Sequence, residues 1–175
     1  MYVRRVIAGV SGSAGSLAAL RSAAAMARTE DAVLMPVLAW VPPGGDLADR
    51  RFPCEELRVA WRKAAEDRLW RAIGLAIGGP PDDVAFTPSI ARGEAGEVLT
   101  SLATEPGDML VIGTGRRGPA RLMACHVSRY CLAHARCPVI AVPPSDLAAH
   151  VHGLHGRRLL HRMQPEDAGL HAADA

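Results

Sequence analysis

Lysine is almost missing from this chain: of its 20 basic residues only Lys63 is not arginine. A Walker-type phosphate loop needs a lysine after its second glycine, where the ammonium reaches the phosphates. Lys63 follows Arg62 in a helical stretch instead, so a P-loop NTPase is excluded. Aromatic residues are scarce at 4%, against 49% hydrophobic residues overall. The core must therefore be aliphatic, built on Ala, Val, Leu and Ile. No apolar run approaches the ~18–20 residues of a membrane span, and no membrane association is expected. The four cysteines (Cys54, Cys125, Cys131, Cys137) show no CxxC spacing. The opening MYVRRVIAGV has too short an apolar run for a secretory leader, so reduced thiols in a cytoplasmic protein are expected. A net charge of only +2 leaves no electrostatic footprint for nucleic acid.

What remains is a regular alternation. Residues 3–10 form an apolar run broken only by an arginine pair and closed by the turn SGSAGS, as a buried strand and loop would be. From Ser16 the period changes. Leu17, Leu20, Ala24 and Ala27 share a helical face, with Ser13 or Ser16 available as the cap. DAVLMPVLAWV (31–41) is a second strand, stopped by Pro42-Pro43-Gly44-Gly45, which opens a longer loop. A helix is predicted from about Cys54 to Ile77, with Trp61, Ala65, Leu69, Ile73 and Ala76 along one stripe. Residues 84–91 read as a third strand whose polar alternation places it nearer a sheet edge. A short helix follows around Val98, Leu99 and Leu102. DMLVIG (108–113) is a fourth strand, 120–135 a further helix carrying Met123, Val127, Tyr130 or Cys131, and His134 on one face, and CPVIAV (137–142) a fifth strand.

Strands that are apolar throughout, separated by crossover helices, specify an α/β fold with a doubly wound five-stranded parallel sheet. Ligands of such sheets bind beyond the carboxyl ends of the strands, so the loops after Val10, Val41 and Gly113 are the candidate site. Alternation stops at Ser145. The expected organisation is one α/β domain over 1–144 and a flexible tail over 145–175 that holds five of the seven histidines.

The turn GVSGSAGSLAAL, the loop IGTGRRG, the segment HVSRYCLAHARCPVIAV and the βαβαβαβαβ order together resemble the universal stress protein family over residues 3–143. The resemblance implies an adenine-nucleotide alpha-hydrolase-like sheet of strand order 3-2-1-4-5. Nucleotide-binding members carry V-D-G-S in the first turn, and G-x-x-G followed after nine residues by G and then S or T. Here Ser11 replaces the Asp, Gly113-Thr114-Gly115 is one residue short, and Cys125-His126 stands for the final pair. By resemblance, Val10 and Ser11 would line the ribose side and Val41 the adenine of an ATP or AMP molecule. Gly113, Gly115, Arg116, Arg117, Gly118, Cys125, His126 and Val127 would hold its phosphates, with magnesium if the ligand is ATP. Arg116 and Arg117 offer forked donors suited to phosphate. The family's role implies a stress-response regulator, not an enzyme, that acts through an unidentified protein partner. It also implies a homodimer formed through the apolar edge strand Val139–Val142.

Four other features of the sequence admit a different reading. A nucleotide-free interaction module of the same fold follows if Cys125 and His126 close the phosphate site. An adenylating ATP pyrophosphatase would need an Asp where Gly15 stands. Cys125 beside His126 invites a thiolate reading, but adjacent helical residues point about 100° apart. The tail histidines His150, His152, His155 and His161 have no carboxylate or thiolate close in sequence, and adventitious metal binding is the expectation.

Overall fold

The computed structural model describes residues 2–114 and 126–144. Expectations for Met123, for the start of the helix before the fifth strand and for the segment 145–175, including its histidines, lie outside them. Five strands form one sheet: β1 (Arg5–Gly9), β2 (Val33–Trp40), β3 (Ser89–Arg92), β4 (Asp108–Gly113) and β5 (Val139–Val142). All pairings are parallel, in the order β3-β2-β1-β4-β5. The doubly wound sheet read from the sequence is the sheet observed.

The crossovers are α1 (Ala14–Glu30), α2 (Gly45–Arg51) and α3 (Glu55–Ile77), α4 (Ala95–Leu102), and α5 (His126–His134) before β5. Helices cover both faces, and the alternation of side chains along each strand feeds two cores. Val6 and Ala8 of β1 join Leu34, Leu38 and Val111 under α1 and α3, while Ile7 joins Val37, Leu110 and Ile112 under α4 and α5. Strands buried on both sides have no polar face, which is why they read as continuous apolar runs. The scarcity of aromatics has a geometric counterpart. α1 meets the sheet through Ala19, Ala23, Ala24 and Ala27, all fully buried, and these small side chains let it lie close.

Helix ends follow local chemistry. Ser13 caps α1 by accepting from the Ser16 N–H, and Gly78 ends α3 in the left-handed conformation. Two elements differ from the sequence expectation. Residues 45–51, read as loop, form α2, too short to show a period of its own. It is held by its tertiary partners: the buried Asp49 carboxylate accepts from Arg58 at 2.9 Å and Arg92 at 2.8 Å. The third strand is also shorter than the 84–91 read from its sequence. Leu34 exchanges bonds with Ala85 and Thr87, forming an isolated bridge opposite Phe86, and β3 resumes only at Ser89, opposite Val37. In that register Pro36 faces Pro88. Pro36 has no N–H to continue the ladder towards Thr87, so the pairing lapses for one rung. β3 is an edge strand, as its alternation indicated.

Candidate functional site

The chain leaves β1 for one side of the sheet and reaches β4 on the other. β1 and β4 are neighbours, so their carboxyl ends open a crevice at the point where strand order reverses. A cleft of about 150 Å3 occupies it. Its apolar wall comes from Val37 and Ala39 of β2, Leu99 of α4, Ile112 of β4 and Val127 of α5. Its polar wall is the turn into α1, with Ser11, Ser13 and Ser16, joined by Thr114 and Ser128.

The polar wall is internally bonded. The Ser16 hydroxyl donates to the Ser13 carbonyl at 2.9 Å and accepts from the Ser11 N–H at 3.2 Å. The Ser11 and Ser13 hydroxyls lie 3.0 Å apart, and the Ser13 N–H points at Ser11 Oγ at 3.4 Å. Such a turn is a fixed set of dipoles aimed at the mouth of the cleft, close to the positive end of α1.

The carboxyl end of β4 is fastened from three directions. Gly113 packs directly against the backbone of Gly15, its carbonyl accepts from the buried Ser128 hydroxyl at 3.1 Å, and the next residue, Thr114, donates its N–H to Val142 of β5 at 2.8 Å. A side chain on Gly15 would place its Cβ 2.6 Å from the Thr114 carbonyl oxygen. The two glycines therefore let α1 sit against β4, and that contact sets the width of the crevice.

The residues selected from sequence are partly assembled here. Val10, Ser11, Gly113 and Val127 all line the cleft. His126 opens α5 with its side chain exposed and is not among the lining residues. Val41 lies beyond the end of β2, 42% exposed, and the β2 contribution to the cleft comes from Val37 and Ala39 instead. Gly115, Arg116, Arg117, Gly118 and Cys125 fall outside the described residues. Sequence reasoning did not assign Gly15, Thr114 or Ser128 to the site. The available signal was the pair of small residues, Gly15 and Gly113, that end up face to face.

The remaining thiols near the sheet are structural. Burial, and secondarily Cys137, pushes the Cys131 thiol up to about 11, and burial raises that of Cys137 too. At neutral pH both stay protonated, so neither is an activated nucleophile.

An apolar slot against a rim of hydroxyls and amides fits a ligand with a flat base at one end and a polar group at the other. It does not fit a metal ion: no charged side chain lines the cleft among the described residues. No group of three or more His, Cys, Asp or Glu that could hold a metal occurs among the described residues either.

The family model of the universal stress protein family matches residues 2–143. No curated protein matches the chain. Among solved structures the fold is similar to a universal stress protein from Lactobacillus plantarum. The TM-score is 0.63 at 20% identity, covering 81% of this chain and 99% of that one. It is also similar to a universal stress protein in complex with cAMP (TM-score 0.54, 22% identity, covering 83% of this chain and 100% of that one). A third is the universal stress protein from Archaeoglobus fulgidus in complex with dAMP (TM-score 0.52, 20% identity, covering 81% and 98%). With five parallel strands in the order 3-2-1-4-5 and a family match over nearly all of that sheet, the chain belongs to the universal stress protein family.

Proposed function

We propose that the protein is a stress-response regulator that binds an adenine nucleotide in the cleft between β1 and β4 and signals through contact with a protein partner, without turning the nucleotide over. The observation that carries the reading is the division of the cleft. Val37, Ala39 and Leu99 offer a dry slot for a base, and the Ser11–Ser16 turn offers oriented dipoles for ribose and phosphate. Structures of the same fold hold cAMP and dAMP, which supports an adenine ligand here. Arg116 and Arg117 follow the end of β4 in sequence by only a few residues. In this reading they supply the phosphate charge that the cleft lining lacks, assisted by Gly115, Gly118 and His126.

The reading extends to assembly. β5 lies at the sheet edge, and a homodimer formed by pairing of Val139–Val142 is proposed, with the segment 145–175 as an appendage to a domain over 1–144. A cytoplasmic location is proposed on the same basis as from sequence. No helix among the described residues is long and apolar enough to cross a membrane.

Calorimetric titration of AMP and ATP into the full chain tests the reading, with an Arg116→Ala, Arg117→Ala double variant alongside. Micromolar binding is expected, weakened at least about tenfold in the variant, since a charged hydrogen bond contributes roughly 1.5–3 kcal/mol. One observation favours the interaction-module alternative: the serine hydroxyls of the turn are already bonded to one another and to the backbone. Heat absent up to millimolar nucleotide would select that alternative.

A further inference from the structure

We infer that the first half of α3 is a contact surface for a second copy of this chain, the two helices pairing antiparallel about a two-fold axis level with Val59. The surface lies apart from the cleft and does not depend on what the cleft binds.

The segment between β2 and the buried half of α3 is built inside out. Of residues 43–64 only Asp49, a carboxylate, is buried. It is fixed by Arg58 and Arg92, and Arg92 also holds Asp46. Charge pairs, not apolar packing, thus tie α2 and the start of α3 to the sheet. The large apolar side chains are on the outside: Leu47 is 66% exposed, Phe52 81% and Leu57 48%. A buried ion pair surrounded by exposed apolar groups reverses the usual order of a protein surface and marks a face that another molecule covers. Along α3 the exposure is regular. Leu57, Ala60, Trp61 and Ala64 have the i, i+3, i+4, i+7 spacing of one helical face. Leu57, Ala60 and Ala64 are exposed and Trp61 is half-buried. The face that meets the sheet, with Ala65, Leu69, Ala72 and Ile73, lies about a quarter turn away round the helix.

Charge indicates what covers the exposed face. Residues 55–63 read EELRVAWRK. Counted outward from Val59, Leu57 answers to Trp61, Glu56 to Arg62 and Glu55 to Lys63. Two copies laid antiparallel with their Val59 positions level therefore bring apolar to apolar and acid to base at each of these places. A parallel pair would set like charges side by side. Arg58, which has no such counterpart, is turned inward onto Asp49. An isologous contact requires this self-complementarity, whereas a foreign partner imposes no relation between the two ends of the segment. Arg92 links α2 to β3, and β3 and β5 are opposite edges of the sheet. The helical contact therefore does not compete with pairing through β5.

The experiment is light scattering on the full chain up to about 100 µM, since so short a contact is weak. Three variants are measured beside the wild type: Leu57→Asp, the double change Glu55→Lys with Glu56→Lys, and the double change Arg62→Glu with Lys63→Glu. The wild type is expected to associate, and each variant should show half its mass. An equimolar mixture of the two charge-reversed proteins should return to the wild-type mass, a rescue that loss of folding cannot imitate. A monomeric wild type would overturn the inference and leave the face to another kind of molecule. A mass unaffected by Leu57→Asp and by both charge reversals would overturn it too, while leaving the β5 dimer standing. A mixture that stays dissociated would remove the antiparallel register, and the inference with it.

Discussion

Gly113→Ala is expected to lower the unfolding free energy by about 3 kcal/mol, at the upper end of what an inserted methyl costs in a well-packed interior. The reason is the partner it would strike. The new Cβ would overlap the backbone of Gly15 and Ser16, and backbone cannot swing aside as a side chain end can. Relief would require α1 to withdraw from β4, and the helix is bound to the sheet by four fully buried alanines. Withdrawal would also widen the crevice, so any ligand affinity should fall together with stability. Gly74→Ala is the matched control. Gly74 lies within α3 and has nothing within 4 Å of an added Cβ, so the same chemical change should stabilise by up to ~1 kcal/mol through helix propensity. Urea unfolding of the two variants measures the contrast. Equal stabilities would mean that the close approach of Gly113 and Gly15 is not a fixed feature of the fold.

The second large effect lies at the other end of β4. Asp108→Asn should destabilise by about 3 kcal/mol, the range for removing one partner of a buried ion pair. The Asp108 side chain is 1% exposed and uses both oxygens. Arg5 donates to them at 2.7 and 2.8 Å, and the Glu105 N–H donates at 2.8 Å. An amide would turn an N–H group towards one of these donors and leave the half-buried Arg5 with only the exposed Glu105 carboxylate, 3.5 Å away. Stability should also change its dependence on pH. Burial by itself would raise the Asp108 carboxyl, but the Arg5 bond and the N–H groups of Glu105 and Thr104 outweigh it and hold it below the usual value. A carboxyl lowered in the folded state stabilises fully above its unfolded pKa of about 3.9 and loses that contribution as pH falls towards the folded value. Thermal melts from pH 7 down to pH 3 should therefore show a shallower decline for the Asn variant than for wild type. Asp49 and Asp83, lowered by Arg58 and Arg28 respectively, keep part of the acid sensitivity in both proteins. A parallel pair of curves would remove Asp108 as a contributor.

The sequence carried the sheet because burial on two faces leaves a direct trace, a strand with no polar side, and because each crossover helix has its own period. It carried less of the details that depend on partners distant in the chain. Residues 45–51 are a helix because Arg58 and Arg92 grip Asp49, and neither the spacing nor the composition of GDLADRR announces that. The gap in the third strand comes from Pro36, a residue of the strand beside it. The candidate site divides in the same way. Val10, Ser11, Gly113 and Val127 follow from the position of their loops at strand ends. Val41 stands just beyond the end of β2, and the described cleft takes Val37 and Ala39 from that strand. Gly15 and Ser128 belong to the site because they fasten β4 between α1 and α5, a contact between residues far apart in the chain.

The facing pair Pro36 and Pro88 has a consequence for how the molecule comes apart. Most of the sheet is a continuous ladder, so opening it at any point breaks bonds on both sides. β3 is attached to β2 by two separate sets of rungs with an unbonded step between them, and its outer edge pairs with no strand among the described residues. Opening there can be confined to one set at a time. The outer strand thus forms its own unit of local unfolding, with a free energy below that of the sheet centre, while the crevice between β1 and β4 stays within the part that opens last.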